Sequence, residues 1–273
     1  VATLFFLGKA FILKVKLFFS VGKSSAKTDA SYKQYVIYCE DKRYWTVFKP
    51  IVEEFEKRKI KLTYFTSAKD DPIFSEKHEF ICAEFIGAGN IAFAKLNMLS
   101  AGIVLMTTPG LEVYQLKRSK NVKHYSHIFH STTDSTMYRL FGIDYFDSIL
   151  MTGNYQAEDI RILEKQRGLP AKDLVTVGCT YLDILQEKIE AIPVEENHKF
   201  TVLVSPSWGA SALLSKYGEK ILDPLLAADF NVILRPHPQS RISEAELLER
   251  LKERYKDNSN LSLLQALFRA GWT

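Results

Sequence analysis

Short apolar runs alternate along the chain with longer stretches in which apolar residues recur at helical spacing. The runs that predict strands in the first two thirds are 34–40, 61–66, 80–85, 102–108, 123–130, 148–152 and 174–177. The stretches that predict helices there are 44–59, 91–99, 155–167 and 181–190. Gly168 predicts the end of the third helix, because glycine commonly follows the last helical turn. Strands and helices that alternate at this length predict the α/β class, with a parallel sheet covered by helices on both faces.

The alternation pauses near residue 192, where a proline and the polar stretch 195–199 predict a domain boundary between 192 and 193. The elements predicted beyond it are a strand at 200–204, a helix through Leu213, Tyr217, Ile221 and Leu225, a strand at 231–234 and a charged helix at 243–255. We therefore expect two Rossmann-like, doubly wound domains, 34–192 and 193–273. Two strands and two helices are fewer than a doubly wound sheet needs, so we expect the second domain to be truncated at its C-terminus.

The first 33 residues differ from the rest. In residues 1–23, Lys9, Lys16 and Lys23 lie seven positions apart on one helical face, while Leu, Phe, Ile and Val fill most of the others. This pattern predicts a basic amphipathic segment that lies on an anionic membrane surface with its apolar side down. The alternatives for residues 1–23 are a helix packed within a domain and a part of a membrane-spanning segment. Residues 24–33 are small and polar and are expected to form a linker.

Composition and charge exclude several classes of protein. The chain is 47% apolar and 25% charged, as ordinary folded proteins are. Of its net charge of +4, the first 33 residues supply six lysines against one aspartate, so the remainder is close to neutral and no nucleic-acid partner is expected. Three scattered cysteines, Cys39, Cys82 and Cys179, form neither a disulfide framework nor a metal motif, and we expect buried thiols.

The strand at 231–234 is followed at once by Arg235-Pro236-His237-Pro238, which we call the arginine turn. The prolines end the strand because proline cannot donate to a sheet ladder. Arg235 and His237 are thereby presented at the carboxyl end of a strand, where open α/β sheets bind ligands. Arginine has a planar fork of donors suited to phosphate, and histidine can donate to it too. The pattern favours a phosphate site, and the plain alternative is an arginine and a histidine on the surface.

A second candidate lies between the strand at 200–204 and the helix after it. Residues 205–211, which we call the serine turn, read Ser-Pro-Ser-Trp-Gly-Ala-Ser. The hydroxyls of Ser205 and Ser207 and free backbone N–H groups would cradle an anion at the start of the helix. The alternative is ordinary capping of that helix by Ser207 or Ser211.

A third candidate is the run with three histidines, His124, His127 and His130. Side chains alternate along a strand, so His124 and His130 share a face and His127 points the other way. No carboxylate or thiolate stands at a useful spacing, so we expect neither a metal nor a cofactor. His130 stands where the strand ends and a hydroxyl-rich turn begins, which suits a general base, with Asp134 as the candidate to orient it. A structural role is the alternative for all three histidines.

Several of these motifs occur in an order that resembles the CDP-glycerol glycerophosphotransferase family, the teichoic-acid-type polymerases and primases. The motifs are the turn at His130, Asp144–Gly153, Val177–Asp183, the start of the serine turn and the arginine turn. The resemblance implies a GT-B fold, with two Rossmann-like domains and the active site between them. It also implies a protein held peripherally on the cytoplasmic face of the membrane.

The implied reaction moves glycerol phosphate, or a similar polyol phosphate, from a CDP-linked donor to a hydroxyl of a lipid-linked or glycan acceptor. By the same resemblance, His130 is the base, and Arg235 and His237 hold the donor's phosphates. The chain departs from the family where Ser131 replaces the usual glycine and no lysine follows before Arg139. The family's later Asp- and Ser-rich donor motif would lie beyond residue 273. A GT-B glycosyltransferase, a nucleotide-sugar epimerase and a non-catalytic membrane-associated accessory protein remain as alternatives.

Overall fold

The computed structural model describes residues 30–138, 140–193 and 199–263. The described chain forms two compact units, which divide between Ala191 and Ile192. The basic segment 1–23 lies outside the described residues. The last four residues of the expected linker, Ala30–Lys33, form a 3₁₀ helix, and the carbonyl of Tyr32 accepts a hydrogen bond from Thr63 Oγ1 at 2.9 Å. These four residues thus join the first unit.

The first unit contains a seven-stranded sheet in which every pair of neighbouring strands is parallel. Its strands are β1 Tyr35–Cys39, β2 Leu62–Thr66, β3 Ile81–Phe85, β4 Ser100–Met106, β5 Asn121–Ile128, β6 Ser148–Met151 and β7 Asp173–Thr176. The strand order is β3-β2-β1-β4-β5-β6-β7. The order reverses between β1 and β4, so the carboxyl ends of these two strands mark the point where doubly wound sheets bind ligands.

Helices pack on both faces of this sheet. They are α1 Trp45–Lys57, α2 Asn90–Leu96 and α3 Tyr155–Arg167. A further helix, α4 Thr180–Glu190, lies against α1, where Thr180 Oγ1 donates to Val47 O at 2.7 Å. Alternate residues of β1 enter two separate hydrophobic clusters: Val36 and Tyr38 join one, and Ile37 joins the other. The bounds of α3 are those predicted, and Gly168 follows it in the left-handed conformation, with φ 62°. The α/β prediction is confirmed.

The second unit contains a three-stranded parallel sheet in the order β10-β9-β8. Its elements are β8 Thr201–Val204, α5 Leu213–Tyr217, α6 Glu219–Ala227, β9 Asn231–Leu234, α7 Ser240–Ser243, α8 Ala245–Arg254 and β10 Leu261–Leu263. The core between sheet and helices includes Val204, Leu222, Leu234 and Leu251, all buried. This unit is Rossmann-like in the sense that parallel strands alternate with helices.

One helix prediction in the second unit was wrong. The single helix expected through Leu213 and Leu225 is two helices, because Gly218 adopts φ 43° and ψ −117°, a conformation that strains residues with a Cβ. The charged helix predicted at 243–255 is present as α8, Ala245–Arg254, and the short helix α7 precedes it. The strand β10 was not predicted. None of the helices in the described ranges combines the length and apolar character that a membrane crossing requires.

Candidate functional site

His130 lies two residues beyond β5, at the carboxyl edge of the first sheet. Its exposed imidazole meets the ring of Tyr44 edge-on, with 5.1 Å between the ring centroids. Tyr44 closes the 3₁₀ turn that follows β1, so the contact joins the loops after β1 and β5. Although His130 is exposed as a residue, the surrounding protein lowers its pKa below the usual 6.5 by desolvation. At neutral pH the imidazole is therefore uncharged, which is the form that accepts a proton.

The other two histidines of this run have structural contacts. His127 is fully buried among aromatic rings, with Phe129 and Phe146 against it, and its Nε2 lies 2.9 Å from the hydroxyl of Tyr138. His124 lies on the opposite face of the sheet, where its Nε2 is 2.8 Å from Ser148 Oγ. The predicted alternation is confirmed for His124 and His127, the two histidines within β5. In the described part of the chain, no three His, Cys, Asp or Glu side chains are grouped so as to hold a metal ion.

Burial of His127 makes the stability of the first unit depend on pH. Burial lowers the pKa of this imidazole to about 3, and the neighbouring His130 adds to the effect. Between pH 6.5 and 3 the unfolded chain binds a proton that the folded chain does not, so stability falls as the pH falls. We expect this group to remove about 2 kcal/mol of unfolding free energy at pH 5 relative to pH 8.

The measurement is urea unfolding at both pH values, with a His127→Phe variant as the control. Phenylalanine fills a similar volume but does not titrate. Removing the imidazole leaves the Tyr138 hydroxyl without its partner at every pH, so that cost cancels from the comparison. The stability of the variant relative to the wild type should rise on acidification. A difference that is the same at pH 5 and pH 8 would contradict the burial argument.

Asp134 is engaged locally. Its Oδ1 accepts the backbone N–H of Thr136 at 3.0 Å and the hydroxyl of the same residue, and it thereby caps the 3₁₀ turn Ser135–Met137. Both contacts use the carboxylate to shape the turn after His130. The predicted role of Asp134 in orienting the imidazole stays a prediction.

In the second unit, the arginine turn begins where β9 ends. The backbone N–H of Arg235 still pairs with Val204 O, at 2.8 Å, while its side chain is exposed. His237 is exposed as well, and its Nδ1 accepts the N–H of Gln239 at 3.1 Å. A neutral imidazole with Nδ1 as acceptor carries its proton on Nε2, so that nitrogen is left to donate. The turn therefore presents a guanidinium and an imidazole N–H at one strand end.

The serine turn lies against the arginine turn. The ring of Trp208 is 6.1 Å from the ring of His237, centroid to centroid, at an interplanar angle of 31°. Ser205 and Ser207 are both exposed. The two predicted phosphate-binding segments of this unit are thus brought together at the carboxyl edge of β8 and β9. Neither Ser207 nor Ser211 caps α5, whose N-cap is Ala212.

The side chain of Glu244 contacts the serine turn, and the sequence did not predict this contact. Gly209 donates its backbone N–H to Glu244 Oε1, and the Ser215 hydroxyl donates to the same oxygen at 3.3 Å. Burial alone would raise the pKa of this carboxyl, but hydrogen bonds from Ser240, Gly209 and Ser243 outweigh it and the pKa is lowered. The N–H of Gly209 is therefore satisfied within the chain, which corrects the expectation that this turn offers only free N–H groups to an anion.

The two parallel α/β units define a GT-B-like fold, the class expected from the sequence. No protein-family model matches the sequence, and no curated protein matches it either. Among solved structures, the UDP-GlcNAc 2-epimerase from Neisseria meningitidis bound to UDP-GlcNAc is similar with a TM-score of 0.55 and 11% identity, over 85% of this chain and 72% of that one. The UDP-N-acetylglucosamine 2-epimerase from Rickettsia bellii gives 0.50 and 14%, over 85% and 68%.

The wall teichoic acid polymerase TagF is also similar, with a TM-score of 0.47 and 11% identity, over 85% of this chain and 60% of that chain. At identities this low, the similarity to the two epimerases establishes a shared fold and does not identify the reaction. The weaker similarity to TagF establishes neither.

Proposed function

We propose that this chain belongs to a transferase that moves glycerol phosphate, or a similar polyol phosphate, from a CDP-linked donor to a hydroxyl of a lipid-linked or glycan acceptor. Such a reaction serves the synthesis of cell-envelope polymers. The observation that carries the proposal is the meeting of the serine and arginine turns, which places Arg235, His237 and Trp208 at one sheet edge. The order of motifs along the chain, which resembles the CDP-glycerol glycerophosphotransferase family, supports the same reaction.

His130 acts as the general base in this proposal. Its neutral imidazole takes the proton of the acceptor hydroxyl, and the acceptor oxygen bonds to the phosphorus that carries the glycerol. The bond from that phosphorus to the oxygen of the cytidine-bearing phosphate breaks, and CMP leaves. The exposure of His130 lets an acceptor reach it, and its lowered pKa keeps it unprotonated at neutral pH.

Arg235 and His237 hold the donor and the departing CMP. Negative charge develops on the leaving phosphate as the bond breaks, and fixed donors aimed at that charge lower the barrier. The guanidinium supplies two parallel donors and a full positive charge, and Nε2 of His237 supplies one more. Ser205 and Ser207, exposed on the adjoining turn, are the further phosphate contacts that we propose.

A nucleotide-sugar enzyme is the second candidate, because the fold is shared with an epimerase bound to UDP-GlcNAc. The two candidates are separated by the nucleotide-linked substrate that each of them converts. The complete gene product that contains this chain should be given radiolabelled CDP-glycerol or UDP-GlcNAc together with acceptor-bearing membranes. We expect labelled polymer and CMP from the first donor and no conversion of the second. Conversion of UDP-GlcNAc alone would support the second candidate, and conversion of neither would indicate a non-catalytic accessory protein.

We further propose that residues 1–23 hold the protein on the anionic inner surface of the cell membrane. Lys9, Lys16 and Lys23 would lie near acidic headgroups, so binding should depend on charge. In vesicle sedimentation, we expect the protein to bind vesicles that contain acidic lipids, and to bind more weakly at high salt. Changing these three lysines to glutamate should release it. Equal binding to neutral and acidic vesicles would refute the electrostatic part of the proposal.

A further inference from the structure

The turn that follows His130 is held by side chains from another element. Its backbone leaves the sheet after β5, so its carbonyl groups have no ladder partner. The hydroxyl of Tyr155 donates to Thr132 O at 2.6 Å, and Nε2 of Gln156 donates to Thr133 O at 2.7 Å. Tyr155 and Gln156 are the first two residues of α3. Two neighbouring side chains on one helix thus bind two successive carbonyl groups of the turn.

Gln156 is fully buried, and both ends of its amide are used. While Nε2 binds the turn, Oε1 accepts the backbone N–H of Thr152 at 2.9 Å. The amide therefore joins the end of β6 to the turn after β5. Burying an amide costs free energy unless it is hydrogen-bonded, and a leucine would fill the same space without that cost. The glutamine is therefore explained by its hydrogen bonds to Thr152 and Thr133, and not by packing.

Tyr155 is fixed from two directions. Its hydroxyl also lies 2.9 Å from Thr152 Oγ1, so it bonds at once to the turn and to the end of β6. Its ring lies over Gly153, where a Cβ would come within 2.4 Å of the ring carbon Cε1. Gly153 therefore leaves the space in which the tyrosine reaches Thr132. Tyr155 is 52% exposed, so this contact is not part of the hydrophobic core.

We propose that Tyr155 and Gln156 are positioning residues for His130. They fix the backbone of the turn directly beyond the imidazole, and through it the direction in which the base meets the acceptor hydroxyl. Displacing a base by about 1 Å can lower the rate about a hundredfold. Hydrogen bonds to two successive carbonyl groups of the turn would prevent such a displacement of His130. The inference rests on the proposed function, in which His130 removes the acceptor's proton.

The test is a double-mutant cycle in the complete gene product, with Tyr155→Phe and His130→Ala. Tyr155→Phe removes one exposed hydroxyl and keeps the ring, so the protein should fold with an unchanged melting temperature. We expect it to lower kcat about tenfold with the donor KM unchanged. In the His130→Ala background it should lower the residual rate no further, because its effect passes through the imidazole. Gln156→Leu should lower kcat by a larger factor, and it too should have no further effect in the His130→Ala background.

Tyr217→Phe is the matched control, since Tyr217 is also 52% exposed and its hydroxyl makes no hydrogen bond within the described residues. Hydrogen exchange in residues 131–135 should quicken in Tyr155→Phe and not in the control. If Tyr155→Phe lowers the rate by the same factor with and without His130, its effect does not pass through the imidazole and the inference is overturned. Full activity of Tyr155→Phe would overturn it as well. If His130→Ala itself leaves turnover unchanged, the proposed function fails first, and the exchange result then reports on the turn alone.

Discussion

His130→Ala should lower turnover by about a hundredfold or more while the dissociation constant of the donor changes little. In the proposed mechanism the imidazole acts on the acceptor hydroxyl, and losing a general base commonly costs between about 10² and 10⁴ in rate. Because desolvation lowers the pKa of His130, the acidic limb of the wild-type rate profile should lie below pH 6.5, the usual value for histidine. Steady-state kinetics from pH 5 to 8, with donor binding measured by calorimetry, provide the check.

His124→Ala and His127→Ala are the controls for this prediction. His124 bonds to Ser148 on the face of the sheet, and His127 is buried, so both substitutions should affect stability and not the chemical step. If either one abolishes turnover in a folded protein while His130→Ala spares it, the base has been assigned to the wrong histidine. If all three variants keep full turnover, the glycerophosphotransferase mechanism is wrong for this chain.

Arg235→Lys should weaken donor binding by about tenfold or more, with a smaller effect on kcat. The substitution keeps the positive charge and removes the planar fork that, in the proposed mechanism, binds two phosphate oxygens at once, so the loss measures geometry and not charge. Arg250→Lys is a matched control, because Arg250 forms an exposed ion pair with Glu219 at 3.3 Å in the same unit. Calorimetric titration with CDP-glycerol gives the dissociation constant of the donor for each variant. Equal affinities for Arg235→Lys and the wild type would remove Arg235 from the donor site.

Much of the fold could be predicted because its causes are local. Apolar runs and helical spacing depend on neighbouring residues, and they placed α3 and the end at Gly168 correctly. The alternation of His124, His127 and His130 followed from the period of a strand alone. The local pattern failed at Gly218, where apolar residues at helical spacing continue through a glycine that turns the chain. Spacing reports which side chains share a face and not whether the backbone between them stays helical.

The contacts that shape the site could not be predicted, because they join residues far apart in the sequence. Glu244 reaches Gly209 across 35 positions, and Tyr155 reaches Thr132 across 23. No motif marks such pairs in a single sequence. The ring of Trp208 beside His237 is a partial exception, because both residues belong to turns that the sequence had singled out at strand ends. Residue type and strand position predicted where a candidate site would lie, and the fold determines which side chains support it.

The most direct test of the central claim follows both products of the reaction in the complete gene product. CMP release from CDP-glycerol and incorporation of labelled glycerol phosphate into the acceptor should be measured together, in the wild type and in His130→Ala. The mechanism predicts one CMP for each glycerol phosphate transferred, and a parallel loss of both in the variant. CMP release without transfer, or transfer that persists at the wild-type rate without His130, would contradict it.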